Sequence, residues 1–468
     1  MTFISNLADD TMNWIPILAD DASTVSGRLL AALRRDIETG RLIPGTRLPP
    51  HRDLAHQLGI GIGTVTSVYG EAARQGLLTA TVGRGSFVAE RVPPSANSDG
   101  PIELARNLPP LIFSQRRFGP TLAKLSKRGD IAQFVDYAPP GGHEAHRRSA
   151  ASWLRRVSGL SDARHDRLVI TTGGQQAMAL ALDVLCRPGD TILTEAATYF
   201  GVRSIAQIGG YRTLGLAMDT EGLLPEAFDR AAAAGARVLY TLPTLQNPTG
   251  RIMSDQRRAD IAAIARARQV WIVEDDLYSA FAMGNAPPPL SSYAPERSFY
   301  INGTSKALAP GLRTGFLITP DDHHLDLVLQ MIRARVYAPS AMGALIGNQW
   351  MEDGSADEIV AEIMAEMEAR GRLAAERLGP ALSPPGDPRC PHLWLPMSEL
   401  EAERMVARAM RAGVELTTPS APLVDPGAIS GVRLCLGLAH DRAQLALGLD
   451  RVVAALDAGR TEVAATVI

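Results

Sequence analysis

Hydrophobic positions near the amino terminus recur at helical spacing. The predicted helix over residues 24–39 has an apolar face formed by Val25, Leu29, Leu30, Leu33 and Ile37. Two shorter helices are predicted, one over Arg52–Leu58 and one from about Thr64 to Arg74. Residues 77–82 and 86–90 then alternate as strands do. This order of elements predicts a small domain of three helices and a hairpin.

The hairpin turn and the turn between the short helices are both marked by glycine. Gly59 separates the second helix from the third, and Gly83-Arg84-Gly85 joins the two predicted strands. Two short helices joined by a tight turn form the skeleton of a helix-turn-helix, and the hairpin adds a wing. The pattern therefore predicts a module that reads DNA.

From about residue 100 the pattern changes to strands that alternate with longer helices. This alternation favours an α/β fold with a mainly parallel sheet. The candidate strands are Leu168–Thr171, Thr191–Thr194, Val238–Thr241, Val270–Glu274, Ser298–Ile301 and Thr314–Ile318.

Composition narrows the class of protein further. The 468 residues are 46% hydrophobic and 21% charged, with a net charge of −3, which excludes a disordered chain, a coiled-coil rod and a collagen-like repeat. No apolar run reaches the roughly 18 residues of a membrane span, and no secretory leader is evident, so we expect a cytoplasmic protein without a membrane partner. Cys186, Cys390 and Cys435 lie far apart without metal-ligand spacing, so we expect reduced thiols and no metal site.

Charge is distributed unevenly between the two regions. Residues 22–90 contain eight arginines and five acidic residues, so this stretch is basic while the rest of the chain is acidic. A basic small domain is a weak indication of a polyanionic partner.

Lysine is rare, which draws attention to one motif. Only three of the 47 basic residues are lysines, and Lys306 is the only one after residue 127. It lies in Gly303-Thr304-Ser305-Lys306, with Arg313 seven residues further on.

Three other motifs follow predicted strands, where an α/β sheet places its ligands. They are Thr171-Thr172-Gly173-Gly174-Gln175-Gln176-Ala177, Gln246-Asn247-Pro248-Thr249-Gly250 and Val273-Glu274-Asp275-Asp276-Leu277-Tyr278. The first is a glycine turn that opens a helix and can cradle a phosphate. An acidic strand end, an asparagine, a phosphate-binding turn, a lysine and an arginine together predict a site for pyridoxal 5′-phosphate. We expect Asp276 to be a helix cap or a surface acid.

The amino-terminal unit resembles the winged helix of GntR-type bacterial regulators. The residues that carry the resemblance are Gly40, Leu42, Pro44, Gly45, Leu48, Pro49, Arg52, Leu54, Ala55, Leu58, Gly59, Thr64, Val65, Tyr69, Gly76, Leu77, Gly83, Gly85, Phe87 and Val88. This sequence departs from the family pattern at Gly61-Ile62-Gly63, where the family usually has a polar pair. The resemblance implies DNA contacts from His51, Arg52, Thr64, Thr66, Ser67, Tyr69 and Arg84. The alternative is that these are solvated groups on a protein-binding module.

The carboxy-terminal unit resembles the fold-type I aminotransferases, which have a large domain with a mainly parallel sheet and a smaller α+β domain. This resemblance makes Lys306 the lysine that forms the Schiff base and Asp275 the partner of the pyridinium nitrogen. The remaining cofactor positions that it implies are Gly174, Gln175, Tyr199, Asn247, Tyr278, Ser305 and Arg313. It also implies that Arg433 binds the α-carboxylate of an amino acid and that Tyr137 reaches the pocket of a partner subunit.

Together the two halves have the layout of the MocR family of transcription regulators. This resemblance implies a DNA-binding domain at residues 15–90, a linker at 91–110 and an aminotransferase-like domain at 111–468. Within that domain we expect a large subdomain at about 155–330 and a small one at about 335–468 plus part of 111–150.

The MocR resemblance implies a homodimeric regulator that binds an operator and senses an amine or amino acid through an aldimine at Lys306. Two alternatives stay open. One is a working aminotransferase with an appended DNA-binding domain, and the other is a regulator that senses pyridoxal phosphate itself.

Overall fold

The computed structural model describes residues 14–18, 24–38, 41–43, 45–74, 77–81, 85–89, 100–425 and 427–466. The chain divides into two compact units, residues 1–99 and residues 100–468. Each unit has its own buried apolar core.

The first unit has the three helices and the hairpin that the sequence predicts. Its elements are α1 (Val25–Glu38), α2 (His51–Leu58), α3 (Ile62–Arg74), β1 (Leu78–Thr81) and β2 (Gly85–Val88). Helix α2 ends at Gly59, whose φ of 64° is the left-handed conformation that glycine adopts without steric cost. Strands β1 and β2 pair antiparallel. The third helix begins two residues earlier than predicted.

The core of the first unit forms where the helices meet the hairpin. Its fully buried side chains include Leu29, Leu33, Leu54, Val65 and Val88. Burial of these apolar faces, more than the short helices' own propensity, stabilises the unit.

The second unit contains twelve helices and thirteen strands within the described residues. The helices are α4 (Ile112–Leu125), α5 (Glu144–Val157), α6 (Gly174–Leu185), α7 (Phe200–Gly209), α8 (Pro225–Ala233), α9 (Asp255–Arg268), α10 (Thr304–Ala307), α11 (Asp322–Arg335), α12 (Ala341–Glu352), α13 (Ser355–Leu378), α14 (Glu399–Arg411) and α15 (Arg442–Thr466). The strands are β3 (Ile102–Glu103), β4 (Leu168–Thr171), β5 (Thr191–Glu195), β6 (Arg212–Leu216), β7 (Met218–Asp219), β8 (Gly222–Leu223), β9 (Val238–Thr241), β10 (Trp271–Asp275), β11 (Ser298–Gly303), β12 (Gly315–Ile318), β13 (His392–Pro396), β14 (Val414–Glu415) and β15 (Gly431–Cys435).

A seven-stranded sheet organises the second unit, in the order β4-β12-β11-β10-β9-β5-β6. The strands run parallel except β12, which is antiparallel to both of its neighbours. The carboxyl ends of the parallel strands therefore meet at one edge of the sheet, and β12 begins at that same edge. This confirms the predicted α/β fold with a mainly parallel sheet.

Smaller strand pairs lie outside this sheet. Strand β13 pairs antiparallel with β15, which places Trp394 opposite Arg433. Strand β3 pairs parallel with β14. Residues 102–104, which lie in the stretch 91–110 predicted as a linker, therefore pair with strands of the second unit, and that unit begins at Gly100. No described helix combines the length and the apolar character that a membrane crossing requires.

Helix α12 packs tightly against the turn that precedes β12. A Cβ atom added to Gly343 would overlap the carbonyl oxygen of Leu312, the residue before Arg313. A Cβ atom on Gly347, one turn further along the helix, would lie 3.7 Å from Cγ2 of Thr304, an ordinary van der Waals contact. Of these two glycines of α12, Gly343 is therefore the one that the close approach of the helix to the Leu312 backbone requires.

We expect Gly343→Ala to lower the free energy of unfolding of the second unit by about 1–3 kcal/mol, because the helix or the Leu312 turn must shift. The matched change Gly347→Ala should leave it unchanged or raise it by up to about 1 kcal/mol, because alanine favours helix. Calorimetric unfolding of each cofactor-free variant and of the wild type measures the two changes in the free energy of unfolding. Equal destabilisation by the two variants would contradict the packing described.

Candidate functional site

Lys306 lies in the short helix α10, directly after strand β11. Its Nζ donates a hydrogen bond to the backbone carbonyl oxygen of Asn107. Burial lowers the pKa of the amine to about 8; Arg433 and Arg313 act in the same direction, and Asp275 opposes them. A larger fraction of this amine is uncharged near neutral pH than for an ordinary lysine, and the uncharged form is nucleophilic.

Asp275 is the last residue of β10, next to β11 in the sheet, and is 4% exposed. Its carboxylate accepts hydrogen bonds from the hydroxyl of Tyr240 at 2.7 Å and from the backbone N–H of Leu277 at 3.3 Å. Burial raises its pKa to about 6, and the Tyr240 hydrogen bond and the charge of Lys306 oppose that rise. The group therefore remains mostly ionised at pH 7, as a partner of a protonated ring nitrogen must.

Arg433 lies on β15 and is 8% exposed. Its Nη1 donates to Oδ1 of Asn247 at 2.8 Å, and its Nη2 donates to the carbonyl oxygen of Ala105 at 3.0 Å. Its Nε and Nη2 also lie 3.3 and 3.1 Å from Oγ1 of Thr417. All these acceptors are neutral oxygen atoms, so the buried positive charge can attract an external carboxylate.

Histidine protonation fixes the direction of a hydrogen-bond chain around Tyr278. Nε2 of His392 lies 2.9 Å from the carbonyl oxygen of Gln246, so this nitrogen carries a proton. Burial lowers the pKa of His392 to about 3, which leaves the ring neutral and Nδ1 an acceptor. Nδ2 of Asn107, at 2.9 Å from Nδ1, is therefore the donor.

The same Nδ2 of Asn107 donates to the hydroxyl oxygen of Tyr278 at 3.1 Å. Asn247, whose Oδ1 is bound to Arg433, presents its Nδ2 to that hydroxyl at 3.4 Å. Because both amide nitrogens are donors, the Tyr278 hydroxyl accepts from each, and its own proton is left for another acceptor. The network therefore turns Tyr278 into a hydrogen-bond donor for a bound group.

The phosphate-binding turn lies at the start of α6. Gly173 has φ 97°, and no side chain caps the N–H groups of the first turn of the helix. Nη2 of Arg313 donates to the carbonyl oxygen of Thr172 at 3.0 Å, and a Cβ atom on Gly173 would lie 2.8 Å from the same Nη2. The N–H groups of Gly174 and Gln175 have no acceptor among the described residues, and such groups at a helix start beside a guanidinium suit a phosphate.

Three more of the predicted cofactor positions are Ser305, Gln175 and Tyr199. Ser305 is 7% exposed, beside Lys306. Gln175 donates from Nε2 to the carbonyl oxygen of Gly201 at 3.2 Å, so its amide is directed towards α7. Burial raises the pKa of Tyr199, and the charges of Asp275, Arg313 and Arg433 all act on its hydroxyl, which places Tyr199 near those three groups.

Tyr137 is separate from this group. It is 77% exposed, and its ring contacts that of Tyr337 at 4.8 Å between centroids. Within one chain the structure does not bring Tyr137 to Lys306, so its assignment to a partner's pocket stays a prediction.

Two residues of the site were missed in the sequence. Asn107 lies in the stretch assigned to the linker, and His392 lies on a strand far along the chain. No local motif marks either residue, because each is brought to Tyr278 only by long-range folding.

The expectation for Asp276 is wrong. Its side chain is completely buried and accepts a hydrogen bond from the hydroxyl of Tyr300 at 2.7 Å. Burial raises the pKa of Asp276 to about 8, and the nearby carboxylate of Glu274 adds to that rise. Asp276 is therefore neither a cap nor a surface acid.

The helix-turn-helix residues differ in accessibility. Arg52, Thr66 and Ser67 are exposed, while His51 and Thr64 are half-buried. Nδ1 of His51 lies 3.0 Å from Oγ1 of Thr66.

Tyr69 does not suit the predicted DNA contact. It is 3% exposed, its hydroxyl donates to the carbonyl oxygen of Pro49 at 3.0 Å, and its ring packs on His51. Tyr69 is a core residue here because its ring fills the space between α3 and the start of α2. Arg84 lies outside the described residues.

Comparison with known families agrees with this architecture. Residues 104–452 match the family Aminotransferase class I and II, and residues 26–88 match Bacterial regulatory proteins, gntR family. The chain belongs to the class I and II aminotransferase family and has an amino-terminal GntR helix-turn-helix domain. It is a transcription regulator of the MocR/GntR type with an aminotransferase-like domain.

Individual relatives support this assignment. The chain is 29% identical over 330 residues to the uncharacterized HTH-type transcriptional regulator YdeF of Bacillus subtilis (strain 168), covering 68% of this chain and 69% of that protein. It is 28% identical over 335 residues to the probable rhizopine catabolism regulatory protein MocR of Rhizobium meliloti, covering 65% and 67% respectively.

The solved structure of Pyrococcus horikoshii kynurenine aminotransferase, determined in complex with PMP, has the same fold. It superposes with a TM-score of 0.69 at 22% identity, covering 77% of this chain and 91% of that one.

The residues of the site fit pyridoxal 5′-phosphate, which the aminotransferase domain indicates as the cofactor. The Arg313 guanidinium and the open helix start suit the phosphate, Asp275 suits the ring nitrogen, and the Tyr278 proton suits the phenolic oxygen.

We expect the rate at which the cofactor-free protein takes up pyridoxal phosphate to follow the titration of Lys306. Below pH about 8 the free-amine fraction, and with it the rate, should fall about tenfold per pH unit; above pH 8 it should level. Stopped-flow absorbance measures the rate.

The variant Asp275→Asn tests whether the pH dependence of the rate comes from Lys306. The Asp275 carboxylate raises the pKa of Lys306, so its removal should move the midpoint to lower pH. A rate that still climbs tenfold per unit at pH 9–10 would show an ordinary lysine and contradict the assignment.

Proposed function

We propose that this protein is a pyridoxal-phosphate-dependent transcription regulator that senses an amine or amino acid at Lys306 and changes its binding to operator DNA. The observation that carries the proposal is the Lys306 amine of lowered pKa, beside Asp275 and Arg433, in a chain that also has a helix-turn-helix. Arg433 forms no ion pair within the described part of the chain. As part of the proposal the protein acts in the cytoplasm.

Each residue of the pocket has a distinct role in this proposal. The cofactor supplies an aldehyde that reacts with amines and a ring that accepts electrons. Lys306 holds it, Asp275 keeps the ring nitrogen protonated, and Tyr278 and Asn247 bind the phenolic oxygen. Arg313, Ser305, Gly174 and Gln175 bind the phosphate, and Tyr199 packs on the ring.

Arg433 is proposed to bind the carboxylate of the effector. Its guanidinium makes four hydrogen bonds to neutral oxygens, and a guanidinium has five N–H donors, so at most one is unused. A carboxylate bound by two parallel hydrogen bonds must therefore displace at least one acceptor. An amino acid is thus favoured over a simple amine, because only the former can compete for these donors.

A homodimer is proposed from exposed large side chains around Tyr137. Val135, Tyr137 and Tyr337 are 91%, 77% and 58% exposed. Large apolar groups exposed together mark an interface, and a second copy would let Tyr137 reach the partner's pocket. A dimer also presents two winged helices to paired half-sites in the operator.

The exposed side chains of Arg52, Thr66 and Ser67 are proposed to contact the operator. His51 and Thr64 border them, and Arg84 is retained in the proposal as a wing residue. A phosphate contact by Arg52 would add affinity without sequence preference.

A second candidate function is an active aminotransferase. It is favoured by the Lys306 amine, because a pKa of about 8 suits proton transfer at neutral pH. Sustained keto-acid release with an amino donor and a keto-acid acceptor would favour this function.

The proposal is tested by operator binding of the wild type and Lys306→Ala, each with and without pyridoxal phosphate and a panel of amines and amino acids. In the wild type we expect cofactor and one effector together to change the operator dissociation constant about 5- to 150-fold, the usual range of allosteric coupling. Lys306→Ala should bind operator but not respond. An equal change in operator affinity in the wild type and in Lys306→Ala would contradict the proposal.

Arg433→Gln should weaken effector binding about a hundredfold, because a charge-assisted, paired hydrogen bond is lost. Cofactor uptake should persist, because Lys306 and the phosphate-binding turn are unchanged. Thermal stabilisation of the cofactor-loaded protein by increasing effector gives the affinity. Unchanged effector affinity in this variant would exclude Arg433 as the carboxylate ligand.

A further inference from the structure

The first described segment of the second unit lies inside the candidate site. Strand β3 (Ile102–Glu103) pairs with β14, and the chain then passes through Ala105, Arg106 and Asn107. In chain order this segment follows the helix-turn-helix unit and its linker.

Two cationic side chains of the site donate to the backbone of this segment. The carbonyl oxygen of Ala105 accepts from Nη2 of Arg433 at 3.0 Å, and the carbonyl oxygen of Asn107 accepts from Nζ of Lys306. These are the groups that the proposed function assigns to the effector and the cofactor. Occupancy of the pocket therefore competes with these two carbonyl groups for their donors.

The carbonyl of Ala105 is the acceptor that Arg433 can release at least cost. It also accepts from Oγ1 of Thr417 at 2.9 Å and from Sγ of Cys435 at 3.3 Å, so it stays satisfied when Arg433 turns away. Oδ1 of Asn247, in contrast, accepts from Arg433 alone among the described residues. A buried acceptor left without a donor is costly, which favours exchange at Ala105.

The side chain of Asn107 holds the carboxyl-terminal end of the segment by hydrogen bonds. Its Nδ2 bridges the hydroxyl of Tyr278 and Nδ1 of His392. Asn107 thus sets the direction of the Tyr278 proton while its carbonyl holds Lys306. Arg106, in contrast, points outward, is 68% exposed in its side chain and pairs with Glu103 at 2.8 Å.

We propose that Asn107 is a positioning residue of the pocket and that the segment Ala105–Asn107 couples occupancy of the pocket to opening of the backbone next to β3. The inference rests on the proposed function, because it assigns Lys306 to the cofactor. Binding withdraws donors from the segment and loosens it.

The test is amide hydrogen exchange of the full-length protein, followed at Leu104, Ala105 and Arg106, with and without pyridoxal phosphate as the only added ligand. These N–H groups donate to Glu415 and to the side chain of Glu103, so they report opening of the segment. In the wild type the cofactor should speed their exchange about fivefold, the effect of losing one hydrogen bond. Arg106→Ala, the matched control, should respond as the wild type does.

Asn107→Ala should exchange rapidly in these amides before cofactor is added and change less than about twofold on addition. Its bound cofactor should also show a shift of about half a pH unit in the midpoint of the absorbance titration, because Tyr278 loses a donor. A purely structural role would not move that midpoint.

Thr417→Val is the milder second variant, should Asn107→Ala not fold. It removes one donor from Ala105 and one acceptor from Arg433 at nearly constant volume, and should give a basal exchange rate between those of the wild type and Asn107→Ala. A basal rate equal to that of the wild type would count against the coupling role of Ala105.

The possible failures are distinguishable. If pyridoxal phosphate produces no visible absorbance with the wild type, the proposed function fails. If absorbance appears but exchange in the segment is unchanged, or Asn107→Ala behaves like Arg106→Ala, only the coupling role of the segment is overturned.

Discussion

Burial of opposite charges at one edge of a sheet is the constraint on which this structure depends. A buried ammonium or carboxylate is destabilised by the loss of water unless other groups replace its hydration. Here the Lys306 amine faces the carbonyl of Asn107 and the charge of Asp275, while Asp275 is held by Tyr240. The cost of desolvation appears as a lowered pKa for Lys306 and a raised one for Asp275. The lowered pKa gives Lys306 more of the nucleophilic free amine, and the pKa of about 6 still leaves Asp275 mostly ionised at pH 7.

The sheet topology brings these groups together without any local sequence relationship among them. Asp275 ends β10, Lys306 follows β11 and the phosphate-binding turn follows β4. Because the carboxyl ends of parallel strands share one edge, residues more than a hundred positions apart meet there. The antiparallel strand β12 starts at that same edge, and this brings Arg313 to the glycine turn at Gly173.

The sequence predicted the parts of the molecule that local patterns encode. The strands β4 and β9 have the predicted bounds, because continuous apolar runs followed by glycine or polar turns mark buried strands. The edge strand β6 was missed, since its exposed and half-buried positions give it a weak signal. Lys306 was singled out by the rarity of lysine and Asp275 by the cost of burying a carboxylate, and in the structure the two charges act on each other.

Residues that depend on long-range packing could not be predicted. Tyr69 occupies a position that faces DNA in the helical pattern, yet its ring is buried against Pro49. Asp276 was predicted to be a helix cap or a surface acid, yet it lies in a buried cluster with Tyr300 and Glu274. Asn107 and His392 join the site only because β3 and β13 pack beside β15. In each case the decisive neighbour is distant in the chain.

The central claim is that the Lys306 amine holds pyridoxal phosphate covalently. Borohydride reduction of the cofactor-treated protein, followed by proteolysis and mass spectrometry, tests it most directly. One reduced cofactor adduct per chain, located on the peptide that contains Lys306 and absent from Lys306→Ala, is the predicted result. A protein that acquires no adduct, or acquires it only on Lys124 or Lys127, would contradict the claim.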